Sequence, residues 1–145
     1  MERSEKQFQR IDAILGDSRD QDMGTAVKVF FEHLRGSLVL PCDVTGAEDF
    51  QWEERYVIGG ASPREYERLR KDQPSYQDTF ELLKIELGVV SEWMMFPGED
   101  IAAEVRRKSD KKTFILGLAE LKAVDRKSPN YQLIEDFGVF LVNNR

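Results

Sequence analysis

Two stretches near the start of the chain repeat apolar residues at the three- and four-residue spacing of an amphipathic helix. This spacing predicts one helix over residues 4–15, ended near Gly16, and a second over residues 25–34, closed by Gly36. A polar link, DSRDQDMG, joins the two helices. The apolar positions are Phe8, Ile11, Ile14 and Leu15 in the first helix and Val27, Phe30, Phe31 and Leu34 in the second.

After the second helix the pattern changes to the two-residue period of a β-strand. The segment SLVLPCDV (37–44) is short, apolar and β-branched, which predicts a strand. Pro41 places that strand at an edge or a bulge, because proline cannot donate to a strand ladder. The segment DFQWEERYVIGG (49–60) alternates apolar and polar positions, which predicts a half-buried strand that ends at a Gly-Gly turn.

The second half of the chain predicts one short helix, three strands and a closing helix. Ser62 as a cap and Pro63 at the first helical position predict a short helix in SPREYERLRKDQ. After Pro74, strands are predicted in TFELLKIEL, DIAAEVRRKSD and KTFILGLAEL, and the polar turn 109–111 joins the last two as a hairpin. The segment SPNYQLIEDFGVFLVNN predicts a C-terminal helix, although the β-branched residues at its end also fit a strand.

Together these elements predict an α+β fold. We expect N-terminal helices, a small antiparallel sheet or partly open barrel, and a closing C-terminal helix. A length of 145 residues suits a single domain over residues 1–145 that can bury a core of its own.

The composition narrows the classes of function. The chain has 41% hydrophobic and 33% charged residues, as in folded soluble proteins, with a formal net charge of -6. An acidic chain repels phosphate backbones, which disfavours a nucleic-acid interface. Cys42 is the one cysteine, so an intrachain disulfide is impossible, and this fits a reducing cytoplasm. The first residues lack the apolar core of a signal peptide and no stretch is long enough to span a membrane, so we expect a cytoplasmic protein without membrane contact.

Acidic loops provide the candidate chemistry. Five carboxylates fall within DVTGAEDFQWEE (43–54), and a second acidic pair follows the FPG turn. Calcium takes six to eight oxygen ligands, so carboxylates clustered at a flexible turn are suitable for it. The two groups would converge if their loops meet at one end of the sheet, and the alternative is that all of them are solvated surface. The candidate calcium ligands are Asp43, Glu48, Asp49, Glu53, Glu99 and Asp100, with Glu48 and Asp49 as the principal ones.

Other kinds of site are excluded or disfavoured. An EF-hand starting at Asp17 is excluded because Arg19 occupies the third loop position, Gly24 the eighth and Lys28 the last. A zinc site is disfavoured because the chain has one histidine and one cysteine. The sequence shows no glycine-rich phosphate loop and no evident nucleophile–base pair, so we predict a protein that is not an enzyme.

Two further features need a structural explanation. Glu54 falls on the same face of the predicted 49–60 strand as Trp52 and Tyr56, where an internal salt bridge to an arginine is the favoured interpretation. In SEWMMFPG, four large apolar residues follow one another at 93–96 and cannot all face inward from a strand. Part of this segment would then form an apolar surface for a homodimer or a protein partner.

The hydrophobic framework resembles a known family. The segments FFEHLRGSLVLPCDV and GLAELKAVD, with an acidic turn between them and an acidic aromatic helix after them, are similar to the small acidic bacterial calcium-binding proteins first described in cyanobacteria. In that family a helix leads into a strand with an LxFP or LxLP step, and a later strand precedes a PLxQL-like segment. The chain departs from the family in the insert over residues 59–86 and in its longer C-terminal helix. The matching positions are Phe30, Leu34, Leu38, Leu40, Pro41 and Cys42 in the first part and Leu116, Leu118, Leu121 and Asp125 in the second.

The resemblance implies a compact α+β fold with an SH3-like sheet and calcium bound by surface carboxylates. The pattern also resembles uncharacterised proteins carried in bacterial mobile cassettes, which implies an accessory role. Our first hypothesis is therefore a cytoplasmic, non-enzymatic calcium-binding protein of buffer or sensor type. The alternative is a metal-free interaction module or homodimer with an apolar face around residues 93–96.

Overall fold

The computed structural model of the protein describes the backbone of residues 2–144 and the side chains of residues 5–18 and 21–144. The α-helices are α1 (Glu2–Leu15), α2 (Met23–Ser37), α3 (Glu54–Ile58), α4 (Pro63–Leu69) and α5 (Pro129–Asn144). The strands are β1 (Cys42–Gly46), β2 (Thr79–Glu86), β3 (Ala102–Arg107), β4 (Thr113–Gly117) and β5 (Leu121–Ala123). Short 3-10 turns occupy Gly16–Asp20, Gln51–Glu53 and Leu118–Glu120.

The first two helices follow the apolar periodicity of the sequence. The first ends before Gly16, as predicted, where the backbone has a φ of 51°. The second starts earlier than predicted because Asp22 caps it, accepting a hydrogen bond from the Thr25 backbone amide at 2.9 Å. It also continues through Gly36 to Ser37, so the predicted stop at Gly36 is wrong.

The five strands form one antiparallel sheet in the order β4-β3-β2-β1-β5. The predicted hairpin is present, with Ala102 of β3 opposite Gly117 of β4 and Arg106 opposite Thr113. The order is linear, with β4 and β5 at the two edges, so the sheet is open. The predicted α+β class is confirmed, and the SH3-like character of the sheet stays a prediction.

The strand that follows Pro41 lies inside the sheet. It pairs with β2 on one side and with β5 on the other, so the predicted edge strand or bulge is wrong. The strand starts at Cys42, one residue after the proline, and the ladder therefore never needs a proline N–H. The preceding apolar residues of SLVLPCDV connect α2 to the sheet without strand pairing.

Residues 49–60 do not form the predicted strand. They form a 3-10 turn followed by α3. Trp52 and Tyr56, which the alternation placed on one strand face, are also four residues apart, as neighbours on a helix are, and their rings contact edge to face at 6.1 Å. Glu54 is exposed, so the internal salt bridge predicted for it is wrong, and the adjacent Glu53 is the buried carboxylate.

Glu53 is fully buried and accepts hydrogen bonds on both carboxylate oxygens. Oε1 accepts from the backbone amides of Tyr76 at 2.7 Å and Phe50 at 3.3 Å. Oε2 accepts from the hydroxyl groups of Tyr66 at 2.5 Å and Ser75 at 2.6 Å. Burial, together with the bond to Glu53, raises the pKa of Tyr66 to about 12, so this phenol stays a donor at neutral pH. These hydrogen bonds connect α4 and the segment just before β2 to the 3-10 turn Gln51–Glu53.

A second buried charge, Arg107 at the end of β3, holds the segment between α4 and β2. Its guanidinium donates to the carbonyl oxygens of Arg70, Lys71 and Gln73 at 2.8–3.0 Å. It also pairs with the carboxylates of Asp78 at 3.0 Å and Asp110 at 2.8 Å. The predicted helix before this segment is confirmed, with Ser62 as its cap and Pro63 in its first turn.

The long helices α1, α2 and α5 share one apolar core with the sheet. The C-terminal helix is confirmed over its whole predicted length, and it buries Phe137 and Phe140 against Phe30 of α2, with both ring centroids 5.3 Å from that of Phe30. The side chains of β2 that face this core include Phe80 and Leu82. None of the helices within residues 2–144 is long and apolar enough to cross a membrane.

The Glu53 network predicts a contrast between two neighbouring carboxylates. Replacing Glu53 with Ala should lower the free energy of unfolding by about 3 kcal/mol, because two buried and two partly buried donors lose their acceptor. The matched control, Glu54→Ala, removes an exposed side chain and should change it by less than about 0.5 kcal/mol. Urea denaturation followed by circular dichroism measures both, and equal losses would contradict the assignment.

Candidate functional site

A cleft of about 610 Å³ opens between the loop after β1, the turn before β5 and one face of α5. The loop is held against the turn by the Ala47 backbone amide, which donates to the Glu120 carbonyl at 2.8 Å. Four carboxylates line this space, which we call the acidic cleft. They belong to Glu48, Asp49, Glu120 and Glu135.

The half-buried Glu120 of the acidic cleft lies close to a second carboxylate, that of Asp100, which is buried behind the lining. Gly117 lies between them, and a Cβ on this glycine would lie 2.6 Å from Glu120 Oε2 and closer still to Asp100 Oδ2. The absence of a side chain at this position therefore lets two carboxylate oxygens approach the same backbone atom. The arrangement forms because the chain bends at the end of β4 into the 3-10 turn that carries Glu120.

Backbone amides hold both carboxylates in place. Asp100 Oδ1 accepts from Ile101 at 2.7 Å, and both of its oxygens accept from Ala119 at 3.2 Å. Glu120 Oε2 accepts from the Met95 amide at 3.1 Å. These donors come from segments on either side of the pair, so each carboxylate is oriented by main-chain hydrogen bonds.

The electrostatics of the pair favour an added positive charge. Burial, with a smaller contribution from the nearby charge of Glu120, raises the pKa of Asp100 to about 7 against the lowering effect of the amides of Ala119 and Ile101. Burial likewise raises the pKa of Glu120. Near neutral pH the folded protein therefore gains stability from anything that brings positive charge to these oxygens, whether a proton or a metal cation.

The structure distributes the six predicted ligands over several places. Glu48 and Asp49 line the acidic cleft, and Asp100 lies outside the lining, next to Glu120 at Gly117. Glu99 is exposed on the turn next to Asp100. The remaining two are engaged elsewhere. Asp43 pairs with Lys108 at 2.9 Å on the solvent-facing side of the sheet, and Glu53 belongs to the buried network.

Sequence reasoning missed Glu120 and Glu135. Glu120 follows β4 directly, in a segment that the sequence predicts to continue as strand, and nothing in GLAEL marks the bend at Gly117. Glu135 lies on α5 among apolar residues, and its spacing is that of an ordinary solvated helix position.

The donor types in the acidic cleft suit a hard cation. The four carboxylates of the cleft supply the oxygen ligands that calcium prefers, against the single cation Lys122 in the lining, and the exposed His33 on α2 is not part of it. Among the described residues, no three side chains of His, Cys, Asp or Glu are close enough together to hold a metal ion. A cation at the Asp100–Glu120 pair would thus need the loop carboxylates to move inward, or water and main-chain oxygens as further ligands.

The apolar segment 93–96 does not form a strand or a continuous exposed face. Met94 is buried, Trp93 and Phe96 pack against the core, and Met95 is exposed, with 38% of its surface accessible. Met95 and Phe96 contribute to the wall of the acidic cleft. A homodimer or protein partner at this segment stays a hypothesis from the sequence, with Met95 as its most accessible residue.

The fold is similar to that of solved structures. One is the crystal structure of Anabaena CcbP, which is 17% identical with a TM-score of 0.57 over 94% of this chain and 89% of that chain. Another is a calcium binding protein in the calcium-binding form, which is 16% identical with a TM-score of 0.55 over 96% of this chain and 91% of that chain. At these identities the likeness establishes the fold. No protein-family model matches the sequence, and no curated protein is significantly similar to it.

The raised pKa of Asp100 predicts a specific pH dependence in metal-free protein. Between its ordinary value of 3.8 and about 7, the folded state holds a proton that the unfolded state has lost. The free energy of unfolding should therefore fall as pH rises through this window, by up to about 1.4 kcal/mol per pH unit, and level off above it. Urea denaturation at a series of pH values measures this slope.

The amide of Asp100→Asn carries no titrating proton, so that variant should lose much of the slope and keep the part due to Glu120. The control Glu92→Gln changes an exposed carboxylate and should leave the slope unchanged. A variant Asp100→Asn with the full wild-type slope would show that Asp100 titrates normally.

Proposed function

We propose that this protein binds calcium at the acidic cleft and acts as a non-enzymatic buffer or sensor in the cytoplasm. The observation that carries the proposal is the pair of the buried Asp100 and the half-buried Glu120, whose oxygens both approach Gly117. Two carboxylates with raised pKa values gain free energy when a cation binds between them. Glu48 and Asp49 line the same cleft and would add further oxygen ligands.

The chemistry of the cleft favours calcium over magnesium. Calcium accepts six to eight oxygen ligands in flexible geometry, whereas magnesium demands a compact octahedron and keeps its water. Carboxylates that approach from a loop, a turn and a helix can satisfy the first requirement but not the second without large movements. Since the carboxylates are not already gathered as a set of three, we expect a dissociation constant of about micromolar or weaker.

The solved structures support the choice of ion. One protein of the same fold is a calcium binding protein in the calcium-binding form. The expectation of calcium from the sequence and the likeness in fold therefore agree. The proposal places the principal ligands at Glu48, Asp49, Asp100 and Glu120, which keeps three of the predicted residues and adds one. Asp43, Glu53 and Glu99 stay predicted ligands that lie outside the cleft.

Calorimetric titration of metal-stripped protein with calcium, with magnesium as the comparison ion, tests the proposal. We expect saturable, calcium-selective heat. The double variant Glu48→Gln/Asp49→Asn should weaken calcium binding at least about tenfold, the equivalent of 1.4 kcal/mol, because two ligand charges are lost.

The control for this titration is Glu32→Gln/Glu54→Gln, which removes the same charge from exposed positions on α2 and α3. It should bind calcium as the wild type does. If both double variants weaken binding equally, the effect is one of net charge and the cleft assignment is wrong. If the wild type gives no heat of calcium binding, the carboxylates of the acidic cleft are ordinary solvated surface groups and the proposal is wrong.

The glycine between the carboxylates provides a second test. Gly117→Ala places a methyl group against Asp100 Oδ2 and Glu120 Oε2, so the pair must separate and calcium binding should weaken at least about tenfold. Gly36→Ala is the matched control, because a Cβ at Gly36 meets nothing within 4 Å. Unchanged calcium affinity in a folded Gly117→Ala protein would show that the pair does not ligate the ion.

A further inference from the structure

A second cleft, of about 820 Å³, opens on another face of α5 and is basic. Its walls are the first half of α1, the loop before α5 and the first turns of α5 itself. Four cationic side chains line it, and they come in two pairs. Lys6 and Arg10 are four residues apart on α1, and Arg126 and Lys127 are adjacent in the loop. We call this space the basic cleft.

The positive charge of the basic cleft is only partly neutralised by its own carboxylates. Asp136 is buried and accepts hydrogen bonds from Arg10 at 2.9 and 3.0 Å and from Gln7 at 3.0 Å. This ion pair accounts for one cation and fixes α1 to α5. Glu135 is the other carboxylate of the lining and also borders the acidic cleft. The lining therefore holds four cations and two carboxylates, and both carboxylates act electrostatically on Arg10.

Three of these cations differ from most of the basic residues around the sheet. Arg106 and Lys108 pair with Glu81 and Asp43, and Arg107 is bound on several sides. By contrast, no carboxylate among the described side chains is in ion-pair contact with Lys6, Arg126 or Lys127. In a chain with 27 acidic and 21 basic residues, three cations in one cleft without a carboxylate partner among the described side chains mark a local reversal of charge.

We propose that the basic cleft binds a phosphate-bearing anion with at least two negative charges. The lining offers cationic groups from two elements and the hydroxyl groups of Ser37 and Ser128, which are the donors that phosphate oxygens accept from. The volume lies in the range of small-molecule sites. The acidic remainder of the surface favours a compact phosphate group over an extended nucleic-acid backbone.

The site rests on these side chains and not on the amides of α5. The first-turn amides are already occupied, since Asn130 donates to Ser128 Oγ at 3.1 Å and Tyr131 donates to the Ser128 carbonyl at 3.0 Å. The Lys127 amide is likewise bound by Asp125 at 2.9 Å. Recognition must therefore come from Lys6, Arg126 and Lys127, with Arg10 held ready by Asp136.

Titration of metal-free protein with inorganic pyrophosphate at low ionic strength tests the proposal independently of calcium. The wild type should show saturable binding, and Arg126→Gln/Lys127→Gln should weaken it at least about tenfold. The control Lys28→Gln/Arg64→Gln removes the same charge from exposed positions on α2 and α4 and should bind as the wild type does. Co-sedimentation with phosphatidylcholine vesicles, with and without phosphatidic acid, separates a lipid headgroup from a free phosphate compound.

Pyrophosphate binding that depends on Arg126 and Lys127 supports a soluble phosphorylated ligand. Sedimentation that requires both phosphatidic acid and these two residues, without pyrophosphate binding, supports the same phosphate chemistry on a lipid headgroup. If neither probe binds, or if the control double variant weakens binding as much as Arg126→Gln/Lys127→Gln, the proposal is overturned. Circular dichroism of each variant verifies that the fold is intact.

Discussion

The buried guanidinium of Arg107 is the contact on which the position of residues 50–78 depends. A buried guanidinium is costly unless its N–H groups are bound, and here carbonyl oxygens beyond α4 and two carboxylates bind it. The carboxylate of Glu53 holds the same segment through hydrogen bonds from the hydroxyl groups of Tyr66 and Ser75 and from two backbone amides. Two buried charges of opposite sign thus hold residues 50–78 in place. This segment forms no strand, and its helices α3 and α4 contain no buried residue.

The same segment determines where the acidic cleft lies. Gly46 at the end of β1 donates to the Tyr76 carbonyl at 3.1 Å, and a Cβ at Gly46 would lie 2.6 Å from the Tyr76 Cα. Because Tyr76 is itself bound by Glu53, the end of β1 can approach it only as glycine. The loop that carries Glu48 then starts from a fixed point and meets the turn that carries Glu120. Buried polar contacts far from the cleft therefore position its carboxylates.

Periodicity in the sequence was sufficient for the helices with a clear apolar stripe and for β2, β3 and β4. Periodicity failed at residues 49–60, because apolar residues recur there at both the two-residue spacing of a strand and the four-residue spacing of a helix. The hydrogen bonds of the buried Glu53 carboxylate, which the pattern does not reveal, favour the helical form. The sequence also named Asp100 as a candidate calcium ligand without indicating that its side chain is buried. The burial arises because Gly117, at the end of β4, lies against this carboxylate. Glu120 was out of reach for the same reason, because its meeting with Asp100 depends on tertiary contacts between residues distant in the sequence.

Helix α5 forms a wall of both clefts, with Tyr131 and Glu135 bordering each of them. Opposite charges therefore lie on two flanks of one helix, and the net charge of -6 does not reveal this separation of charge. The field of these charges draws cations toward the acidic flank of α5 and anions toward its basic flank. Added salt screens both attractions together, so ionic strength acts on the two flanks of this one helix at once.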